Sequence, residues 1–226
     1  MRVLVYDTEE AAPQAARLVA ETARAAIAAR GRACLAFSGG HTPWPMFRAL
    51  AGETLPWHQV HIFQTDERAV PMDNPARTLP QLYDALLSRL PQEPQLHPMP
   101  VDDLAEGARR YGALLAQTAG RLDLVHLGLG DDGHTASLTP GDPVLEVDQA
   151  EVAVSLPYQG HRRMTLTYPA LERARVLLWL VTGAGKAGIL RRLYDGDKTI
   201  PAGRVAPGRA ILVADRAAAR LLPAAA

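Results

Sequence analysis

Short runs of β-branched and aliphatic residues alternate along the chain with longer stretches rich in Ala, Leu and Arg. The runs predict strands over 3–6, 33–37, 60–64, 122–127, 152–155, 164–167, 176–181 and 210–213. The stretches predict helices over 11–29, 43–51, 79–90, 104–119, 184–195 and 216–222. Start signals support several of them: Pro43 follows Thr42, and Asp102 and Asp103 precede Leu104. Alternation of this kind marks βαβ units, so the fold class is α/β with a mainly parallel sheet. The Pro-rich stretch 91–100 and the stretch 196–208 read as connections, too short and too closely flanked by structure to be domain linkers. One domain over 1–226 is therefore expected.

In open parallel sheets ligands bind beyond the carboxyl ends of the strands. The chemically unusual residues of this chain stand there. Strand 33–37 runs into Ser38-Gly39-Gly40-His41-Thr42-Pro43, and strand 60–64 into Thr65-Asp66-Glu67-Arg68. Strand 122–127 runs into Gly128-Leu129-Gly130-Asp131-Asp132-Gly133-His134, and strand 176–181 into Thr182-Gly183-Ala184-Gly185-Lys186. Four polar or glycine-rich turns thus converge on one edge.

Each turn has a chemistry. Two glycines and a hydroxyl before a helix leave backbone N–H groups open to close approach by an anion, phosphate above all, although a tight strand-to-helix turn would need the same glycines. Lys186 stands at a helix N-terminus, where the dipole disfavours a cation unless an anion accompanies it. Asp132 lies two residues from His134 on a glycine-flexible turn; a carboxylate that orients an imidazole suits general-base activation of water. Asp66 supplies a second acid, Arg68 a cation that could pair with it or reach an oxyanion, and Arg162 with Arg163 a possible bidentate clamp for phosphate. Charged triplets such as Asp66-Glu67-Arg68 are, however, usually solvated turns.

Other chemistries find less support. Gly128–Gly133 matches a dinucleotide fingerprint but sets two carboxylates where a pyrophosphate would lie. Gly183–Gly188 is better placed, with Asp215 ending the next strand as a possible ribose ligand, but too little chain follows to complete such a domain. No serine occupies a nucleophile elbow, and Cys34 lies in an apolar strand like any small hydrophobe. The histidines form no metal-binding pair of helical spacing, so a metal is not required.

Composition adjusts this picture. Twenty-four basic and 24 acidic side chains give zero formal charge, which argues against a nucleic-acid or polybasic membrane-surface binder. Only Lys186 and Lys198 are lysines, which draws attention to each. A lone cysteine, an acid already at Asp7 and no apolar run of membrane-spanning length lead us to expect a soluble, cytoplasmic protein. A monomer or small homo-oligomer is the accompanying expectation.

Taken together, the segments Leu35–Pro43, Thr65–Arg68, Leu127–Gly141, Arg163–Thr167 and Val181–Lys186 resemble, in order and spacing, the 6-phosphogluconolactonases, relatives of the glucosamine-6-phosphate deaminases. The block Gly130-Asp131-Asp132-Gly133-His134-Thr135-Ala136-Ser137 is the specific one. The resemblance implies a three-layer Rossmann-like fold and hydrolysis of a phosphosugar lactone, with no cofactor. It implies His134 as general base, Asp132 and Asp66 as groups that shape and polarise the site, and Ser38, Gly39, Gly40, His41, Thr42, Arg68, Arg163 and Lys186 as phosphate and oxyanion ligands. His41 departs from the serine usual in the family's loop. The deaminases carry an acid five residues beyond the histidine; here that position is Thr139, which favours lactone hydrolysis. A non-catalytic sugar-phosphate regulator is the further alternative, disfavoured by the retained Asp-Gly-His and by the lack of a DNA-binding segment before residue 33.

Overall fold

Residues 1–223 are described by a computed structural model. In chain order it contains β1 (Arg2–Tyr6), α1 (Thr8–Arg30), β2 (Ala33–Phe37), α2 (Pro43–Ala51), β3 (Val60–Gln64) and β4 (Asp66–Arg68). There follow α3 (Leu79–Ala85), β5 (Gln95–His97), α4 (Leu104–Thr118), β6 (Leu124–Leu127), β7 (Val152–Tyr158) and β8 (His161–Leu166). The described chain closes with α5 (Tyr168–Arg173), β9 (Val176–Val181), α6 (Ala187–Tyr194), α7 (Pro201–Arg204), β10 (Ala210–Asp215) and α8 (Arg216–Ala219).

Seven strands form one sheet in the order β1-β10-β9-β6-β2-β3-β5, with every neighbouring pair parallel. β2 is a continuous apolar run because it is buried on both faces, as central parallel strands are. Its Leu35 and Phe37 join a core with α1 and α2 built on Trp57, Phe47, Met46 and Ile62. Its Cys34 and Ala36 join the opposite core, which holds Tyr111, Trp179, Met164 and Leu166. The result is the three-layer α/β arrangement expected.

A smaller antiparallel sheet, β4-β8-β7, lies against the second core. From the sequence, 152–155 and 164–167 read like members of the main sheet and 65–68 like a strand-end turn; the latter instead contains β4, paired antiparallel with β8. The Pro-rich stretch contains β5, paired with β3, and the helix expected over 79–90 ends at Ala85 before a 3-10 turn, Leu87–Arg89. The helix expected from 184 likewise opens as a 3-10 turn, Ala184–Lys186. Among the described residues no helix is long and apolar enough to cross a membrane.

The topology places a site. From β2 the chain proceeds outward to β3 and β5, whereas from β6 it proceeds the other way to β9 and β10. β2 and β6 are neighbours whose connections diverge, and a crevice opens beyond their carboxyl ends. At the opposite ends the buried Asp123 ties the pair together: it accepts from Cys34 N at 2.9 Å and Arg30 Nη2 at 2.5 Å, and forms an ion pair with Arg175, whose Nε lies 3.3 Å away. Replacing this carboxylate leaves one buried N–H without an acceptor. Asp123→Ala is expected to lower the free energy of unfolding by about 1–3 kcal/mol. Urea titration checks this; an unchanged midpoint would contradict the strand-tying role.

Candidate active site

Beyond the ends of β2, β3, β6 and β9 lies a cleft of about 550 Å³. All eleven residues that the family resemblance assigns to the site line it: Ser38, Gly39, Gly40, His41, Thr42, Asp66, Arg68, Asp132, His134, Arg163 and Lys186. The strand-end turns are brought together by parallel pairing alone. The hairpin tip, Tyr158 and Gln159, adds a wall.

One side of the cleft carries a base. In the turn after β6, Gly133 adopts φ +84°, and a Cβ there would lie 2.5 Å from Ile200 Cβ, so glycine is required. The turn is closed by Gly130 N donating to His134 O at 2.9 Å and Gly133 N donating to Gly130 O at 3.0 Å. It sets Asp132 Oδ1 2.6 Å from His134 Nδ1 and 3.1 Å from the His134 amide, which donates to it. Burial alone would raise the Asp132 pKa, but the backbone and ring hydrogen bonds from His134 outweigh it and hold the carboxyl below its usual value. An ionised carboxylate only accepts, so the proton sits on Nδ1, and Nε2 is left as the basic nitrogen. The imidazole lies directly over Gly130: a Cβ there would fall 2.0 Å from Nδ1.

The other side suits an anion. Gly40 has φ +110°, and Gly39 packs so tightly on Thr78 that a Cβ would lie 2.4 Å from its methyl carbon. Among the described residues the N–H groups of Gly40, His41 and Thr42 have no acceptor. Pro43 and Pro45 remove two donors from the first turn of α2, so an anion would meet loop amides rather than the helix end itself. The Ser38 hydroxyl is already engaged, 2.7 Å from Thr65 Oγ1 and donating to His126 O at 3.1 Å, so it braces three strand ends.

Arg68 and Arg163 are direct partners across β4 and β8. Like charges so placed repel. Burial first, and then the Arg68 charge, lowers the Arg163 pKa, opposed by Asp66. The Nε atoms of both arginines are buried without an acceptor, while the two side chains line the cleft. Lys186 Nζ donates to Leu129 O at 2.7 Å and to Asp131 Oδ1 at 2.6 Å, which accounts for a cation just before α6.

The remaining residues divide clearly. Asp66 is buried, with its oxygens on Thr65 Oγ1 at 3.2 Å and Ser137 Oγ at 2.7 Å rather than on His134. Arg162 is exposed on the opposite face of β8 from Arg163 and makes no clamp with it. Asp215 is spent within the fold, accepting from Gly183 N, Thr8 Oγ1 and Ala218 N, so it is not a free ribose ligand. Sequence reasoning missed Glu67, which is fully buried. It accepts from Arg68 N at 2.8 Å, Thr78 N at 3.0 Å, Leu79 N at 2.9 Å and Gln64 Nε2 at 2.9 Å, and so fixes Arg68 and the Thr78 that supports Gly39. Its charged triplet gave no sign of burial. It also missed Tyr158, whose hydroxyl donates to Asp132 Oδ2 at 3.0 Å; the strand expected to stop at 155 runs on to this residue.

Residues 6–214 match the family model described as glucosamine-6-phosphate isomerases/6-phosphogluconolactonase. A 6-phosphogluconolactonase of Synechocystis sp. is 41% identical over 179 residues, which covers 75% of this chain and 74% of the relative. One of Rattus norvegicus is 37% identical over 232 residues, covering 95% and 90%. The crystal structure of a Thermotoga maritima 6-phosphogluconolactonase shares the fold, with a TM-score of 0.86 and 23% identity over 95% of this chain and 98% of that one. With the sheet order, the strand-end cleft and the carboxylate–imidazole turn all in place, the chain belongs to the glucosamine-6-phosphate isomerase/6-phosphogluconolactonase family.

Proposed function

We infer that the protein hydrolyses 6-phospho-D-glucono-1,5-lactone to 6-phospho-D-gluconate, the hydrolytic step of the oxidative pentose phosphate pathway. One observation carries the reading: a basic imidazole nitrogen oriented by Asp132 shares a cleft with the side chains of Arg68 and Arg163. A cleft of about 550 Å³ is of the size that takes a small phosphorylated ligand. The relatives named as 6-phosphogluconolactonases support the same reaction.

In the mechanism that follows, His134 Nε2 takes a proton from water as the water oxygen attacks the lactone carbonyl carbon. Asp132 stabilises the imidazolium that forms. The negative charge that develops on the carbonyl oxygen, and the substrate phosphate, are met by Arg68, Arg163, Lys186 and the amides of Gly39 to Thr42. Asp66 helps shape the site beside them. Collapse of the tetrahedral intermediate breaks the bond from the carbonyl carbon to the ring oxygen, which takes the proton back from His134. Water and the protein's own groups balance every step. A base of this kind contributes roughly 10²–10⁴-fold.

The family also contains isomerases, whose chemistry needs a proton relay around an opening sugar ring. Thr139 is only 4% exposed and cannot ionise, so the position five residues beyond His134 offers no such relay. We further place the protein in the cytoplasm as a monomer or small homo-oligomer, with neither nucleic acid nor membrane as partner. Cys34 suits that setting as a buried thiol, its pKa pushed up to about 11 chiefly by burial.

Two experiments check this reading. In parallel assays the purified protein is expected to hydrolyse 6-phosphogluconolactone and to leave glucosamine 6-phosphate unchanged; activity confined to the second substrate would overturn the assignment. Gly130→Ala, whose methyl group displaces the imidazole, is expected to reduce kcat by about 10²-fold with little change in the circular dichroism spectrum. A variant with unreduced kcat would show that the observed ring position is not the working one.

A further inference from the structure

The strands β7 and β8 are joined at Gln159 and Gly160, which adopt φ +50° and +82°, the left-handed pair a tight hairpin turn requires. Ser155 pairs with Arg163 and Tyr158 with His161, so β7 holds one more residue than β8 between these two pairs. Side chains alternate along a strand, and an extra residue reverses the alternation. Without it Pro157 would share the Arg163 face; with it Tyr158 does.

The consequence is a set of contacts made by one side chain. Tyr158 donates to Asp132 Oδ2 at 3.0 Å, while Oδ1 of the same carboxylate holds His134. Both oxygens are therefore committed, and the carboxylate cannot rotate without breaking a bond on each side. The Tyr158 ring stands edge-on to the imidazole with centroids 5.2 Å apart, on a ring otherwise supported by Gly130. The Arg163 guanidinium lies 5.1 Å from the centre of the Tyr158 ring, and Arg163 Nη2 donates to Tyr158 O at 3.2 Å. A cation over an aromatic face keeps its orientation without losing its charge.

We propose that Tyr158 is a positioning residue for the hydrolysis, with two separable functions: its hydroxyl clamps Asp132 onto His134, and its ring holds Arg163 in place for the anionic substrate. The proposal rests on the lactonase reading. Burial, followed by the hydrogen bond to Asp132, raises the Tyr158 pKa, so the phenol remains a donor throughout the working range. A phenol bonded to Asp132 also withdraws negative charge from the carboxylate and so limits how strongly it stabilises protonated His134. Removing the hydroxyl therefore alters the surroundings of the His134 Nδ1 proton. The other charged groups lining the cleft around His134 are Asp66, Arg68, Arg163 and the Asp131–Lys186 pair, all unaltered by this change.

The test compares Tyr158→Phe with Tyr158→Leu. Tyr158→Phe keeps the ring, and is expected to lower kcat about three- to tenfold with KM held within about twofold. Tyr158→Leu should reproduce this effect and in addition raise KM for the phosphorylated lactone. The proton NMR resonance of His134 Nδ1–H in the substrate-free protein should shift in Tyr158→Phe, because the carboxylate that holds this proton loses its second partner. Wild-type kcat together with an unmoved Nδ1–H resonance in Tyr158→Phe would overturn the proposal. A shifted resonance in a protein whose wild type lacks lactonase turnover would uphold the clamp and overturn the assigned reaction instead.

Discussion

The 2.6 Å contact between Asp132 Oδ1 and His134 Nδ1 is the interaction that gives the rest of the architecture its purpose. It fixes the tautomer and leaves one nitrogen free to accept a proton. Little in the two side chains themselves would hold it, since they are only two residues apart on a turn. The contact exists because Gly133 permits a left-handed backbone, Gly130 leaves room for the ring, and β6 delivers the turn to the point where the sheet connections diverge. The large parallel sheet thus serves as a rigid base for a short, glycine-dependent loop.

Charge is organised locally in a chain whose formal total is zero. The cleft gathers Arg68, Arg163 and Lys186 beside Asp66, Asp131 and Asp132. The opposed arginines on β4 and β8 would repel each other without compensation. Glu67 and Asp66, both buried next to them, supply part of it, and an anionic substrate would supply the rest. Placing the arginines on a small antiparallel sheet, separate from the base-bearing loop on the main sheet, keeps the cationic and basic parts of the site on different supports. The Tyr158 side chain bridges the two.

The strands and the four turns at their ends could be read from the sequence because the signals are local: apolar runs, paired glycines, an acid two residues from a histidine. The parallel sheet then brings those turns together with no further information. What could not be read depends on contacts distant in the chain. Glu67 sits in a triplet that looks solvated, and its burial follows from amides of Thr78 and Leu79 that reach it from the start of α3. Tyr158 faces the cleft only because of an extra residue in β7, which no alternation of polar and apolar residues announces. β5 hides among prolines because it is a three-residue edge strand that needs few backbone donors. Asp215, which looked available, is consumed by neighbouring backbone amides.

We propose that His134 performs the chemistry while other groups hold the ligand. Two properties of His134→Ala test this most directly: hydrolysis of 6-phosphogluconolactone, and calorimetric binding of the product 6-phosphogluconate. Turnover is expected to fall by at least about 10²-fold while the product Kd stays within about threefold of wild type. Turnover near that of the wild type would show that the base lies elsewhere in the cleft.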